Sequence, residues 1–294
     1  MNIIKPEKIK NGETICIIAP SGNVDKDKIL NSAEYFKSLG YKVKFGKNVF
    51  NQDRYLAGKD EERISDLEEA FNDKDVNAII CARGGYGALR IAEKINYNII
   101  RNNPKIFCGY SDITALSLMI LKKTGLVTYS SPMPKGDFQP EQIDEFTQKH
   151  FWLALKNELN EITAEELKTY KDGSATGILW GGNLSTIVSL CGLDFIPDKK
   201  FIFFTEDLNE PVYKIDRCFR QLLNIEKFRK NIAGIVLGDF LDIEYPQQLD
   251  ELFDEIAREL NIPVYGGYKI THGKSKLTIP IGINAHLNNG KINL

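Results

Sequence analysis

The feature that most limits the fold is an alternation in the first half of the chain, where short apolar runs the length of buried strands are separated by amphipathic stretches with helical spacing. The runs are Ile15 to Ala19, Ala78 to Ala82, Ile106 to Gly109 and Val127 to Tyr129, and Lys42 to Phe45 is read as a further strand. Parallel strands need crossovers long enough for a helix, so the pattern predicts four or five βα units around a parallel sheet. The intervening segments agree. Leu30 to Leu39 carries a helical pattern closed by Gly40, and from Asp60 onward Ile64, Leu67 and Phe71 share one face behind an acidic first turn that suits the helix dipole.

Beyond Val127 to Tyr129 the pattern loosens through Ser130-Ser131-Pro132-Met133-Pro134 into a polar, helix-prone stretch reaching about Asp172. Residues 1–160 are therefore expected to form an N-terminal parallel-sheet βα domain, 161–174 a connector, and 175–294 a smaller C-terminal α/β domain. In the last part Phe201 to Thr205 and Ile235 to Leu237 read as strong strands, with Val264-Tyr265 and Thr278 to Ile283 weaker. A chain of 294 residues, 43% of them hydrophobic, is long enough for two cores.

Several classes of function are disfavoured by composition. The formal charge of −2 and the lack of a long basic run leave nothing to neutralise a phosphate backbone, so no nucleic-acid partner is expected. Met1 to Lys10 lacks the apolar core of a signal peptide, and no apolar run reaches the roughly 20 residues of a membrane helix. The expectation is a cytoplasmic protein with no membrane partner. The five cysteines, Cys16, Cys81, Cys108, Cys191 and Cys218, are scattered and form no C-x-x-C pair, which argues against a disulfide framework or zinc site. No metal and no cofactor are expected.

Two loops could carry chemistry. Cys108-Gly109-Tyr110-Ser111-Asp112 leaves an apolar strand and enters a segment with helical spacing, which places a serine on a strand-turn-helix elbow with its hydroxyl toward the crevice. On this fragment alone the simpler reading prevails, in which Ser111 is a helix N-cap and Asp112 an ordinary first-turn acid. The loop Arg83-Gly84-Gly85-Tyr86-Gly87 ends the preceding βα unit, where glycines let backbone N–H groups approach a ligand closely. Its spacing matches neither G-x-G-x-x-G nor the P-loop, which disfavours a nucleotide cradle.

A nucleophilic serine needs a base, and only His150, His272 and His286 are present. His150 lies in the polar connector and His286 precedes a turn at Asn288-Asn289-Gly290, whereas His272 sits in an irregular loop able to project over a neighbouring domain. A plain surface histidine remains the alternative there. For the orienting acid, Glu206 ends the apolar run FIFFT, where a carboxylate needs a reason; Asp207 and Glu210 are rivals explained by a turn and by surface charge.

As a set these residues resemble the LD-carboxypeptidase family of serine peptidases, which includes the microcin C self-immunity peptidases. The likeness rests on Ala19-Pro20-Ser21-Gly22, RGGYG at Arg83 to Gly87, GYSD at Gly109 to Asp112, Gly181-Gly182-Asn183-Leu184, EDLNEPVYKIDR from Glu206, and the His272-Gly273 pair. The resemblance implies a triad of Ser111, Glu206 and His272 split between two domains, with the active site between them. It also implies an oxyanion hole from the backbone N–H groups of Gly85 and Asp112, with Gly84 as a substitute for Gly85. The implied reaction is hydrolysis of the L,D-peptide bond that releases terminal D-alanine from murein tetrapeptides. Gly84, Tyr86, Trp180 and Asn183 are candidate substrate contacts, and Lys269, Lys274 and Lys276 could meet a substrate carboxylate, although solvated lysines and a packed indole are the simpler reading; a homodimer is expected.

Three other readings compete. An immunity-type hydrolase of peptidyl- or aminoacyl-nucleotide amides would keep the triad and use Trp180 or Tyr86 to stack on a base. A two-domain binding protein would perform no reaction and leave Ser111 as a cap. A thiol enzyme would use Cys108 or Cys81, neither of which has a basic neighbour in sequence.

Overall fold

A computed structural model describes residues 2–140 and 143–294. In the first half, strands β1 (Thr14–Ile18), β2 (Lys42–Phe45), β3 (Val76–Cys81), β4 (Ile106–Cys108) and β5 (Thr128–Ser130) alternate with helices α1 (Lys26–Ser38), α2 (Asp60–Asn72), α3 (Ala88–Ala92), α4 (Tyr97–Asn102) and α5 (Ile113–Thr124). Helices α6 (Pro134–Asp137) and α7 (Glu145–Leu155) follow. The remainder comprises β6 (Glu161–Thr163), β7 (Lys168–Lys171), β8 (Ser174–Asn183), α8 (Leu184–Ser189), β9 (Phe201–Leu208), α9 (Val212–Leu223), α10 (Glu226–Asn231), β10 (Ile232–Leu241), α11 (Pro246–Leu260), β11 (Val264–Gly266), β12 (Ile279–Ile281), β13 (Asn284–Asn288) and β14 (Lys291–Asn293).

Two sheets organise these elements. The first has the order β12-β5-β4-β3-β1-β2 and the second β6-β14-β13-β8-β9-β10-β11-β7. Strands β1 to β5 are parallel, as the apolar runs and helical crossovers predict. Helix α1 starts a turn before the periodic stretch from Leu30, because the Asp25 carboxylate accepts from the N–H groups of Asp27 and Lys28. Helix α5 is buried along almost its whole length between the sheets, which explains its apolar sequence ITALSLMIL.

Two departures from the sequence reading concern pairing partners. Residues 161–174, expected as a connector at the end of a helix-prone stretch, carry two strands: β6 pairs with β14 and β7 with β11, so this segment supplies both edges of the second sheet. Its polar composition is that of edge strands, whose outer faces meet water. Thr278 to Ile283, read with the second domain, contributes β12 to the first sheet, antiparallel to β5 with Pro280 opposite Tyr129. Three residues with no period of their own give no sign of which sheet they complete.

Candidate active site

The site gathers at the carboxyl ends of β3, β4 and β9. Ser111 follows β4 with φ of 61°, a left-handed backbone that a residue with a Cβ adopts only when its surroundings impose it. The N-cap of α5 is Asp112, not Ser111, so the helix-cap reading of the serine does not hold. Close packing helps fix the turn. A Cβ on Gly84 would come within 2.9 Å of the Ser111 Cβ and 3.1 Å of its Oγ, so only glycine fits against the serine without a shift. Gly85 beside it takes φ of +110°, which also favours glycine.

The glycine loop is tied to the serine turn through a carboxylate that sequence reading treated only as a first-turn acid. Asp112 Oδ2 accepts from Ser21 Oγ at 2.5 Å and from the Ala88 N–H at 2.8 Å, joining the ends of β1, β3 and β4. Burial raises the Asp112 carboxyl above its ordinary range, against those two donors. Buried Arg63 adds a second tie, donating to the carbonyls of Pro20 and Gly87 at 2.7 and 2.8 Å and to Asp60 at 2.5 Å. Among the described residues, the N–H groups of Gly85 and Asp112 donate to no protein acceptor. They are available to an anionic oxygen beside Ser111.

From the second sheet, β9 delivers Glu206, 3% exposed, and the loop before β12 delivers His272. His272 Nδ1 lies 2.7 Å from Glu206 Oε2. Burial alone would lower the imidazole, but the hydrogen bond and charge of Glu206 more than offset it and hold His272 above its ordinary value. Glu206 is itself raised by burial, with the His272 contact pulling in the opposite direction. Tyr110 meets the imidazole edge to face at 5.0 Å between ring centroids. Ser111 and His272 line one cavity of about 350 Å³ with Gly84, Gly85 and Tyr110. No hydrogen bond joins the serine hydroxyl to the imidazole in this resting arrangement, as is common before substrate arrives.

The other two histidines lie elsewhere. His150 is on α7 with Nδ1 2.8 Å from the Phe146 carbonyl, and His286 is on β13 against the Thr176 hydroxyl.

The substrate candidates separate. Tyr86 is 49% exposed and lines an adjoining cavity with Tyr55, Arg83 and Gly85. Trp180 does not line a pocket: it is fully buried among Phe195, Phe201, Phe203 and Phe228, because its position on β8 faces the core of the second lobe. Asn183 is also buried; it caps α8 through its Oδ1 and donates its Nδ2 to Asp207, which places it behind the carboxylates.

Of the three lysines near His272, Lys269 pairs with Glu165 and Lys276 is buried against Asp137 at 2.7 Å. Neither is free to meet a substrate. Lys274 is exposed and lines the cavity on the far side of His272. Sequence reading missed Lys276 as a tie between α6 and the His272 loop, since nothing in a basic loop distinguishes a buried lysine from solvated ones. The thiol reading fails on burial, which pushes Cys108 up to about 12 and Cys81 well above its ordinary value.

Comparison with known proteins covers both lobes. Residues 15–131 match the family model for the LD-carboxypeptidase N-terminal domain, and residues 176–287 match that for the LD-carboxypeptidase C-terminal domain. The chain is 38% identical over 293 residues to a probable murein peptide carboxypeptidase of Bacillus subtilis, covering 97% of this chain and 91% of the relative. Among solved structures, an MccF-like protein from Bacillus anthracis superposes with a TM-score of 0.91 at 29% identity, over 99% of each chain. The muramoyltetrapeptide carboxypeptidase from Oxalobacter formigenes gives 0.84 at 31% identity, over 95% of this chain and 97% of that one.

Proposed function

The chain belongs to the LD-carboxypeptidase family and is a serine-type carboxypeptidase, and from that premise we propose that Ser111, His272 and Glu206 cleave the bond before the terminal D-alanine of murein tetrapeptides. The observation that carries the residue assignment is the convergence of a left-handed serine turn, a buried His–Glu pair and two free backbone donors on one cavity. The relationship to the Bacillus subtilis protein supports the substrate class.

In this mechanism Ser111 Oγ attacks the scissile carbonyl as His272 Nε2 takes its proton, with Nδ1 held as donor by the Glu206 carboxylate. The carbonyl oxygen, now an alkoxide, accepts from the N–H groups of Gly85 and Asp112. The imidazolium returns the proton to the departing nitrogen, D-alanine leaves, and the acyl-serine remains. Water then gives a proton to the same imidazole as it attacks the ester, and the imidazolium passes that proton to Ser111 Oγ as the C–Oγ bond breaks, freeing the tripeptide and restoring the serine. Nothing in this sequence requires a metal or organic cofactor.

The peptidyl-nucleotide alternative keeps the triad but loses Trp180 as a stacking platform, leaving Tyr86 and Tyr55. A homodimer in the cytoplasm is our expectation for the working enzyme; among the described residues no helix is long and apolar enough to cross a membrane. Light scattering tests the dimer.

The test of function is incubation of wild type and Ser111→Ala with L-Ala-γ-D-Glu-meso-diaminopimelyl-D-Ala, reading D-alanine by mass spectrometry. Release by the wild type alone supports the proposal. Release by neither overturns the substrate, and equal release by both overturns the nucleophile.

A further inference from the structure

The cavity that holds Ser111 and His272 is also lined by Lys28, Arg83 and Lys135, brought there by α1, the glycine loop and α6. Among the described residues none of these three has a carboxylate within 4.0 Å. Arg83 donates Nε to the Gly84 carbonyl and Nη1 to the Asn23 carbonyl, both at 3.1 Å, which leaves its charge uncompensated. The acids nearby are committed. Asp25 caps α1, and Asp137 on the cavity wall accepts from Lys276 and from the Met133 N–H.

Three like charges converging on a half-buried space oppose one another, and Lys135 is held below its ordinary value by burial and then by Arg83 and Lys28, with the Asp25 charge only partly offsetting them. Such an arrangement adds nothing to the stability of the free protein. It is complementary to an anion that arrives with the substrate.

The position of that anion follows from the reaction. When a single amino acid leaves a chain end, its free carboxylate is attached to the carbon that bears the scissile nitrogen, so it must lie in or beside the cavity of the attacking serine. The other carboxylates of a murein peptide are farther along the acyl side.

We propose that Lys28, Arg83 and Lys135 form the subsite for the carboxylate of the leaving amino acid, so that the enzyme selects free chain ends over internal bonds. This rests on the serine-carboxypeptidase reading of the same cavity. Arg83 presents a planar fork suited to two carboxylate oxygens, and the lysines act as point charges on either side. Because Arg83 also donates to the Gly84 carbonyl, a bound carboxylate steadies the loop whose N–H group faces the alkoxide.

The experiment compares the tetrapeptide acid with its C-terminal amide, using wild type and Lys135→Met. Lys135 is the variant of choice because its side chain makes no ion pair, so its loss leaves no partner unpaired. Wild type is expected to prefer the acid in kcat/KM by about 100-fold, and Lys135→Met to shrink that preference at least ~10-fold through loss on the acid, as for a charge pair with one partner removed. Equal rates of wild type on acid and amide overturn the proposal, as does an equal loss on both substrates in the variant. If wild type cleaves neither peptide, the substrate assignment fails, and the subsite is read by binding to Ser111→Ala protein. There N-acetyl-D-alanine, but not its amide, should bind, with affinity reduced by Lys135→Met. Equal binding of acid and amide, or no binding of either, overturns it.

Discussion

Replacing Glu206 by Gln tests the buried pair most directly, because it keeps the side-chain volume and removes only the charge and the acceptor-only character. In the native protein the carboxylate sits 2.7 Å from His272 Nδ1 and faces little water. In the proposed mechanism it stabilises the imidazolium formed during attack and fixes the proton on Nδ1. At a separation of about 4 Å and an effective dielectric of about 20, the charge–charge attraction is about 4 kcal/mol. That corresponds to roughly 10³-fold in kcat, and an amide that donates to Nδ1 and stabilises the wrong tautomer adds to the loss. The pH profile carries the same information. The proposed mechanism needs neutral His272, which is held above its ordinary value of 6.5, so the acid limb of wild-type kcat/KM is expected above pH 6.5. In Glu206→Gln burial and the Lys276 charge lower the imidazole and only the Asp207 charge still raises it, so the limb should move to lower pH while the plateau falls. D-alanine release followed from pH 5 to 9, beside circular dichroism to verify folding, reads both effects. A plateau within ten-fold of wild type, or an acid limb that does not move, would refute the reasoning.

Ser111→Ala and Ser111→Gly should both be inactive, yet the glycine variant is expected to match or exceed the alanine variant in stability by up to about 1 kcal/mol, since relief of the left-handed backbone outweighs the extra unfolded-state entropy; denaturant titration decides, and a clearly less stable glycine variant counts against backbone strain. Gly84→Ala forces a Cβ to within 2.9 Å of the serine Cβ, and should lower kcat by about 100-fold through misplacement of the nucleophile while costing about 1–3 kcal/mol in stability. Lys276→Met leaves the half-buried Asp137 without its ion-pair partner and should destabilise by about 1–3 kcal/mol, with Asp137→Asn added to it restoring part of the loss; additive losses in the double variant would contradict a direct pair. Trp180→Phe should leave KM within about two-fold of wild type and cost less than about 1.5 kcal/mol, because the indole N–H has no protein partner and the ring is packed within the apolar core; a large rise in KM would return this residue to the pocket wall.

The first sheet was legible because its inner strands β1, β3 and β4 are short, largely apolar and buried and its crossovers have a clear period, so β1 to β5 were anticipated to within a few residues. The candidate site was legible where an unusual residue type met an unusual place, such as a carboxylate ending the apolar run of β9. What stayed hidden depends on pairing across long stretches of chain. β12 carries no mark of its destination, and the edge strands β6 and β7 look like polar linker. The same limit applied around the cavity. Ser21 was noticed only as part of a motif, and its hydrogen bond to Asp112 joins residues 91 positions apart. Lys28 and Lys135 are ordinary lysines in sequence, and only the packing of α1 against α6 brings them toward one another.

The return of β12 to the edge of β5 also bears on how the protein comes into being. During synthesis β1 to β5 leave the ribosome first, and they can pair while the whole of the second lobe is still unmade. Through that interval β5 presents its backbone groups to whatever strand is near, one place away from the strand that leads into Ser111. The lobe bearing the serine is therefore sealed by one of the later segments to be translated, after Glu206 and His272 have already appeared. A proteolytic or truncated product ending between the lobes would expose an unsealed sheet that invites aggregation, and the cell would meet it as a substrate for chaperones or proteases, never as a dormant half-enzyme.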